Sequence, residues 1–168
     1  MKFKKLVGLG LTVLALGALA QVTSDEAEWK ETEAPPPPSF NKDQLIPIDM
    51  PSYATMKLGV DPATFALTPD GVVRYVVVAS NPAGSISAMY EGIRCSTGEF
   101  KTYARFASNG QWSLVKNSPW RNMHDVSLPS KHTKSLAQQG VCDGMALTVG
   151  SVEELVKALK SPSQNQRQ

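Results

Sequence analysis

The sequence predicts an α+β fold, an antiparallel β-meander of about five strands with one or two C-terminal helices packed on it and one disulfide. Three observations carry that reading. Val72 to Ala79 is an unbroken run of strand formers. Ser85 to Ala107 forms two alternating arms about Thr97-Gly98. From Ser151 to Leu159 the apolar spacing switches from strand-like to helical.

The folded part opens at Leu45-Ile46-Pro47-Ile48, where Pro47 cannot donate to a ladder and so marks an edge or irregular segment. Met56 to Val60 and Thr64 to Thr68 are candidate strands, separated by an Asp61-Pro62 turn. Pro69-Asp70-Gly71 is a strong turn. Val72 to Ala79 follows and is apolar on both faces, as a central strand is. Asn81 to Gly84 turns the chain into the hairpin.

With Thr97-Gly98 as a two-residue connection, Cys95 pairs with Phe100, Ile93 with Thr102, Glu91 with Ala104 and Met89 with Phe106. These residues share one face, because strand side chains alternate. The other face then carries Tyr90, Gly92 and Arg94 opposite Arg105, Tyr103 and Lys101. Gln111 to Val115 adds a short last strand. Lys116 to Ser130 is loop-like, and His132 to Gln139 forms a short helix ended by Gly140. Cys142 is expected to bring the chain back to the sheet. Ser151 and Glu154 make a capping box, and Val152, Leu155, Val156 and Leu159 share one helical face, so this last helix packs on the sheet.

Four segments result: 1–20, 21–44, 45–160 and 161–168. The first reads as a secretory signal peptide, with a basic start (Lys2, Lys4, Lys5), an apolar run Leu6 to Leu16 and the small-x-small end Ala18-Leu19-Ala20. That run is short of the roughly 20 residues that span a bilayer. The residue directly after Ala20 is Gln21 and not cysteine, so the mature chain is expected to carry no lipid or membrane anchor. Residues 21–44 form an acidic, proline-rich leader. Pro35 to Pro38 is extended polyproline II. The leader is either a solvated spacer or a strap that Trp29 and Phe40 hold across the domain. Residues 161–168 are a polar tail.

The chain has 17 Lys and Arg against 15 Asp and Glu, and removing the signal leaves 14 against 15. A near-neutral mature chain argues against nucleic acid as a partner. An exported chain with two cysteines is expected to pair them, Cys95 with Cys142. Neither lies in a CxxC motif, so neither a redox motif nor a zinc knuckle is supported. No metal or cofactor is expected.

Several short segments occur in a distinctive order: Glu28-Trp29-Lys30-Glu31, Pro35 to Pro38, Phe40, Val60-Asp61-Pro62, Asp70 to Val78, Tyr90 to Cys95, Thr102 to Arg105, Trp120-Arg121 and Cys142-Asp143-Gly144. In this order the chain resembles the cryptic neisserial protein 1-like family of exported proteobacterial proteins, over about residues 28–145. The resemblance implies a periplasmic location and no particular activity. Many members look like lipoproteins, and this chain departs from them in lacking the lipobox cysteine.

Catalytic signatures are sparse. There is no Gly-x-Ser-x-Gly elbow, HExxH, P-loop or GxGxxG. The two histidines, His124 and His132, read as a loop residue and a helix-start residue. Glu91 falls on the core-facing side of the hairpin, where a carboxylate needs a partner. Arg74 in the central strand is the candidate for a buried ion pair. Tyr90, Arg94, Tyr103, Arg105, Trp112, Trp120 and Arg121 form a candidate binding face, because aromatics beside arginines suit a protein, glycan or anionic ligand. The alternative is that helices or the leader cover this face. The expected function is a soluble periplasmic binding or assembly factor for an envelope protein or glycan. The competing reading is a small envelope-acting hydrolase or lyase using Glu91 or His124.

Overall fold

The computed structural model describes residues 29–161 apart from Pro82 and Ser108. The segments read as signal peptide and polar tail therefore lie outside the described residues, save Ser161, as does the start of the leader. In chain order the elements are β1 (Ile46–Pro47), β2 (Lys57–Val60), β3 (Ala66–Leu67), β4 (Val72–Ser80), β5 (Ile86–Arg94), β6 (Glu99–Phe106), β7 (Trp112–Leu114), β8 (Arg121–Asn122), α1 (His132–Leu136), β9 (Cys142–Asp143), β10 (Ala146–Leu147) and α2 (Val152–Lys160). β1-β2-β4-β5-β6-β7 is the spatial order of one antiparallel sheet, with β3 beside β4 and β8 beside β6. The α+β meander expected from the sequence is thus the architecture, trimmed by several two-residue strands.

The sheet separates two apolar layers, because β4 alternates with its odd residues on one side and its even residues on the other. Val73, Tyr75, Val77 and Ala79 face Leu136, Val141, Leu155 and Leu159 from the C-terminal third. Val76 and Val78, with Ala88, Tyr90 and Ala104 beside them, face Ala34 and Phe40 of the leader and Leu45 directly after it. The leader is therefore a strap, the second of the two readings, and it makes the third layer.

The hairpin register differs from the expected one. The turn is a 3-10 turn at Cys95–Thr97, with Gly98 left-handed (φ 65°) and its N–H bonded to the Cys95 carbonyl. The strands close at Arg94 and Glu99, two steps from the expected pairing. A shift of two preserves faces, so Glu91 and Ile93 stay on the helix side, opposite Thr102 and Phe100. A bulge then intervenes: Glu91 pairs with Thr102 but Tyr90 pairs with Ala104, leaving Tyr103 as the extra residue. One extra residue exchanges the faces beyond it. Ala104 and Phe106 join the leader side, and Arg105 crosses to the helix side against Met89.

The disulfide joins Cys95 to Cys142, with Cα atoms 5.6 Å apart. Cys142 lies in the separate two-stranded ribbon β9–β10, not in the main sheet as expected. The bridge therefore ties the turn after β5 to the ribbon. α1 is shorter than its predicted span and runs into a π turn, Ala137–Val141, that contains Gly140. α2 begins as expected, with the Ser151 hydroxyl accepting the Glu154 N–H at 3.2 Å. Ser151→Ala is expected to lower stability by about 1 kcal/mol in a urea melt, the usual worth of such a cap. A loss below about 0.3 kcal/mol would mean that packing of Leu155 and Leu159 alone holds the helix.

Candidate functional site

Two polar clusters sit on opposite sides of the sheet. On the leader side, Glu31 is the centre. Its carboxylate accepts from Lys101 Nζ at 2.8 Å, Tyr103 Oη at 2.8 Å and Trp120 Nε1 at 3.1 Å. Burial pushes this carboxyl up. Hydrogen bonds from Lys101, Tyr103 and Trp120, together with the Lys101 charge, outweigh burial and hold it below the ordinary carboxylate value. The contribution of the grip is present above that value and is lost as pH falls through the folded one.

Trp29 lies beside this cluster, under the Arg94 guanidinium at 3.7 Å and edge-on to Trp120 at 5.8 Å. Arg74 donates to the carbonyls of Thr32 and Glu33. The bulge supplies the seat for Tyr103, and Gly92 supplies the room: a Cβ there would lie 2.8 Å from the Tyr103 hydroxyl and 2.8 Å from Val72. Two turn aspartates tie the strap down. Asp70 takes the Trp29 indole N–H on its carbonyl (2.9 Å) and the Thr32 N–H on its carboxylate (2.6 Å). Asp61 takes the Asn41 N–H at 2.6 Å. Phe40 packs edge-on against Phe106 and Trp112.

On the helix side, Glu91 is buried and accepts from Tyr75 Oη (3.3 Å) and Thr102 Oγ1 (3.0 Å). His132 Nε2 meets the same carboxylate at 2.7 Å, and His132 Nδ1 lies 2.8 Å from Ser130 Oγ. The order Ser-His-Glu is that of a nucleophile relay. A relay also needs reach to substrate, and Glu91 is only 1% exposed and His132 5%. None of these three side chains lines the cavities of about 890, 500 and 380 Å³. The cluster acts as a buried polar clasp joining β4, β5 and β6 to α1. Burial lowers the His132 pKa, the Glu91 charge and hydrogen bond raise it, Arg105 opposes them, and the balance is upward.

A model of the CNP1-like family matches residues 24–160. The chain belongs to the CNP1-like family. No curated protein and no solved structure matches it. The CNP1-like match takes in the leader together with the sheet and helices, in keeping with a strap built into the domain rather than a linker before it.

The structure reorders the residues that sequence reasoning grouped. Tyr90, Arg94, Tyr103 and Trp120 do come together, under the leader. Trp112 sits apart on the same layer with Phe40. Arg105 is on the opposite face, for the bulge reason above, and Arg121 is exposed on β8. The proposed ion pair of Arg74 with Glu91 is not formed. Tyr75, not Arg74, is the cross-strand partner of Glu91, so successive side chains of β4 put Arg74 on the leader side. His132, read from the sequence only as a helix-start residue, is the partner of Glu91. His124 is exposed in the loop near Gly98. Sequence reasoning passed over Glu31, Asp61, Asp70, Tyr75, Thr102 and Ser130 as site residues. Only the buried acid Glu91 signalled that some donor was needed, and nothing in the spacing named it.

The described residues contain no set of three or more His, Cys, Asp or Glu side chains that could hold a metal, and no helix long and apolar enough to cross a membrane. A groove of about 890 Å³ runs along the β1–β2 edge, between Met50, Met56, Leu58 and Gln139. It touches neither cluster. A smaller cavity of about 380 Å³ lies beneath the leader, between Ala34, Pro35 and Pro37 on one side and Tyr90, Lys101 and Tyr103 on the other.

Proposed function

We propose that this CNP1-like protein is a periplasmic, non-enzymatic binding or assembly factor whose working surface is the leader-covered face of the sheet. One observation carries the reading: three side chains, two from β6 and one from the loop between β7 and β8, converge their donors on a single carboxylate of the leader. A face that grips Glu31, stacks an arginine on Trp29 and binds backbone carbonyls through Arg74 has the chemistry of peptide recognition. The basic, apolar and small-residue pattern of residues 1–20 supports export. A disulfide of this kind persists in oxidising compartments, which supports the same location.

The test places a photo-crosslinking amino acid at Leu114, an exposed position on the rim of the cavity under the leader. The full chain is expressed in cells with and without Glu31→Ala. A discrete adduct with an envelope protein or glycan is expected, several-fold stronger in the Glu31→Ala background. No adduct, or one that ignores Glu31, rejects this surface. Fractionation of the chain with the cytosol rejects the location.

A further inference from the structure

Resting on that reading, we infer that the leader is a built-in competitor, and that the partner is an extended acidic peptide with an aromatic residue two positions before a carboxylate. The leader presents this pattern itself as Trp29-Lys30-Glu31, and each part has its own receptor. The indole lies between Arg94 and Trp120, with its N–H on the Asp70 carbonyl. The carboxylate takes Lys101, Tyr103 and Trp120. Lys30 between them is exposed.

The leader fills this surface incompletely. Arg74 is buried, and among the described residues its partners are two backbone carbonyls and the Tyr103 side chain, with no carboxylate among them; its Nε is buried without a described partner. Arg94 Nε is likewise buried and unpartnered. Among the described residues the only ion pair on this face is Lys101 with Glu31, so neither guanidinium pairs with a described carboxylate. The cavity of about 380 Å³ beside Ala34 and Tyr103 also goes unfilled. A buried unpaired donor costs stability that an incoming acceptor recovers. A partner that keeps the aromatic and acid pattern, adds a second carboxylate over Arg74 and carries a larger apolar group than Ala34 makes every contact the leader makes, and more. It must still displace a segment tethered at an effective concentration on the order of mM. Cis occupancy is therefore a threshold that weak acidic peptides do not pass.

The experiment titrates a fluorescent peptide of residues 27–36 into the full-length chain and into its Trp29→Ala/Glu31→Ala variant. At least tenfold tighter binding to the variant is expected, because its own leader no longer competes. The same peptide with its glutamate at position 31 replaced by alanine is expected to lose tenfold or more. Equal affinity of wild type and variant, or indifference to that carboxylate, overturns the inference. Equal binding of an unrelated acidic peptide without tryptophan overturns it too, since charge alone then explains the attraction. Should the variant melt below the assay temperature, tryptic cleavage after Lys30 of the wild type replaces it. Millimolar peptide is expected to accelerate that cleavage several-fold, and no acceleration overturns the inference. Peptide binding with a blank crosslink from Leu114 preserves the recognition rule and removes the envelope partner. The reverse outcome preserves an envelope partner and removes the leader-like peptide.

Discussion

Glu91→Ala is expected to lower the unfolding free energy by about 3–5 kcal/mol, the usual cost of breaking a buried charge pair. The change removes the acceptor for Tyr75, Thr102 and His132 at once. It leaves a buried imidazole and two buried hydroxyls without that partner. The melting temperature is expected to fall by something on the order of 10 °C. Glu91→Gln keeps the size and an acceptor but removes the charge, so its loss is expected to be smaller. A loss of under about 1 kcal/mol for Glu91→Ala would show that water enters and satisfies the cluster.

The same pair predicts a pH slope. The folded pKa of His132 is raised above its ordinary 6.5, against the pull of burial, by the charge and hydrogen bond of Glu91. A group raised in the folded state contributes stability in full below its unfolded value and loses it as pH rises through the folded one. Wild-type stability is therefore expected to decline as pH rises from about 6.5 upward. In Glu91→Gln the raising charge is gone and burial dominates, so the decline above pH 6.5 is expected to vanish and stability to rise with pH below 6.5 instead. Urea midpoints measured from below pH 6.5 to well above it distinguish the two, and parallel slopes would show that the Glu91 charge does not raise the His132 pKa.

The second large effect belongs to the disulfide. Replacing Cys95 and Cys142 by Ala is expected to cost about 4 kcal/mol, the loop-closure value for this separation. The bond spans 47 residues of sequence and anchors the turn that directly follows Arg94. Loosening that turn frees the guanidinium that covers Trp29. The double variant is thus expected both to unfold at lower urea and to be cut faster by trypsin after Lys30. Unchanged cleavage with lowered stability would show that the leader is held by Glu31 and Asp70 without help from the bridge.

The long strands of the meander were legible because each carries its own local evidence of β-structure in β-branched runs and bounding turn residues. The two-residue β8, inside the segment read as loop, and β9 and β10 carry none. Val72–Ser80 reads as central from its composition alone, and it is buried along nearly its whole length. α2 was legible because Ser151, Glu154 and the Val152, Leu155, Val156, Leu159 face act within a few residues of one another. The hairpin's faces were legible only up to the bulge at Tyr103. A bulge is one residue of backbone geometry, and no side chain announces it. Every residue beyond it changes sides, which moved Arg105 out of the aromatic face and Ala104 into it.

Local chemistry thus determined, from the amino-acid sequence alone, the longer strands, the α2 cap, the cysteine pair and which residue types were available for contacts. Tertiary structure decided the partners: His132 rather than Arg74 for Glu91, and the leader's Glu31 for Lys101, Tyr103 and Trp120. The physical reason is range. Secondary structure is set by forces between neighbours in the chain. A buried carboxylate takes whichever donor the folded chain brings within about 3 Å, however far away in sequence that donor lies.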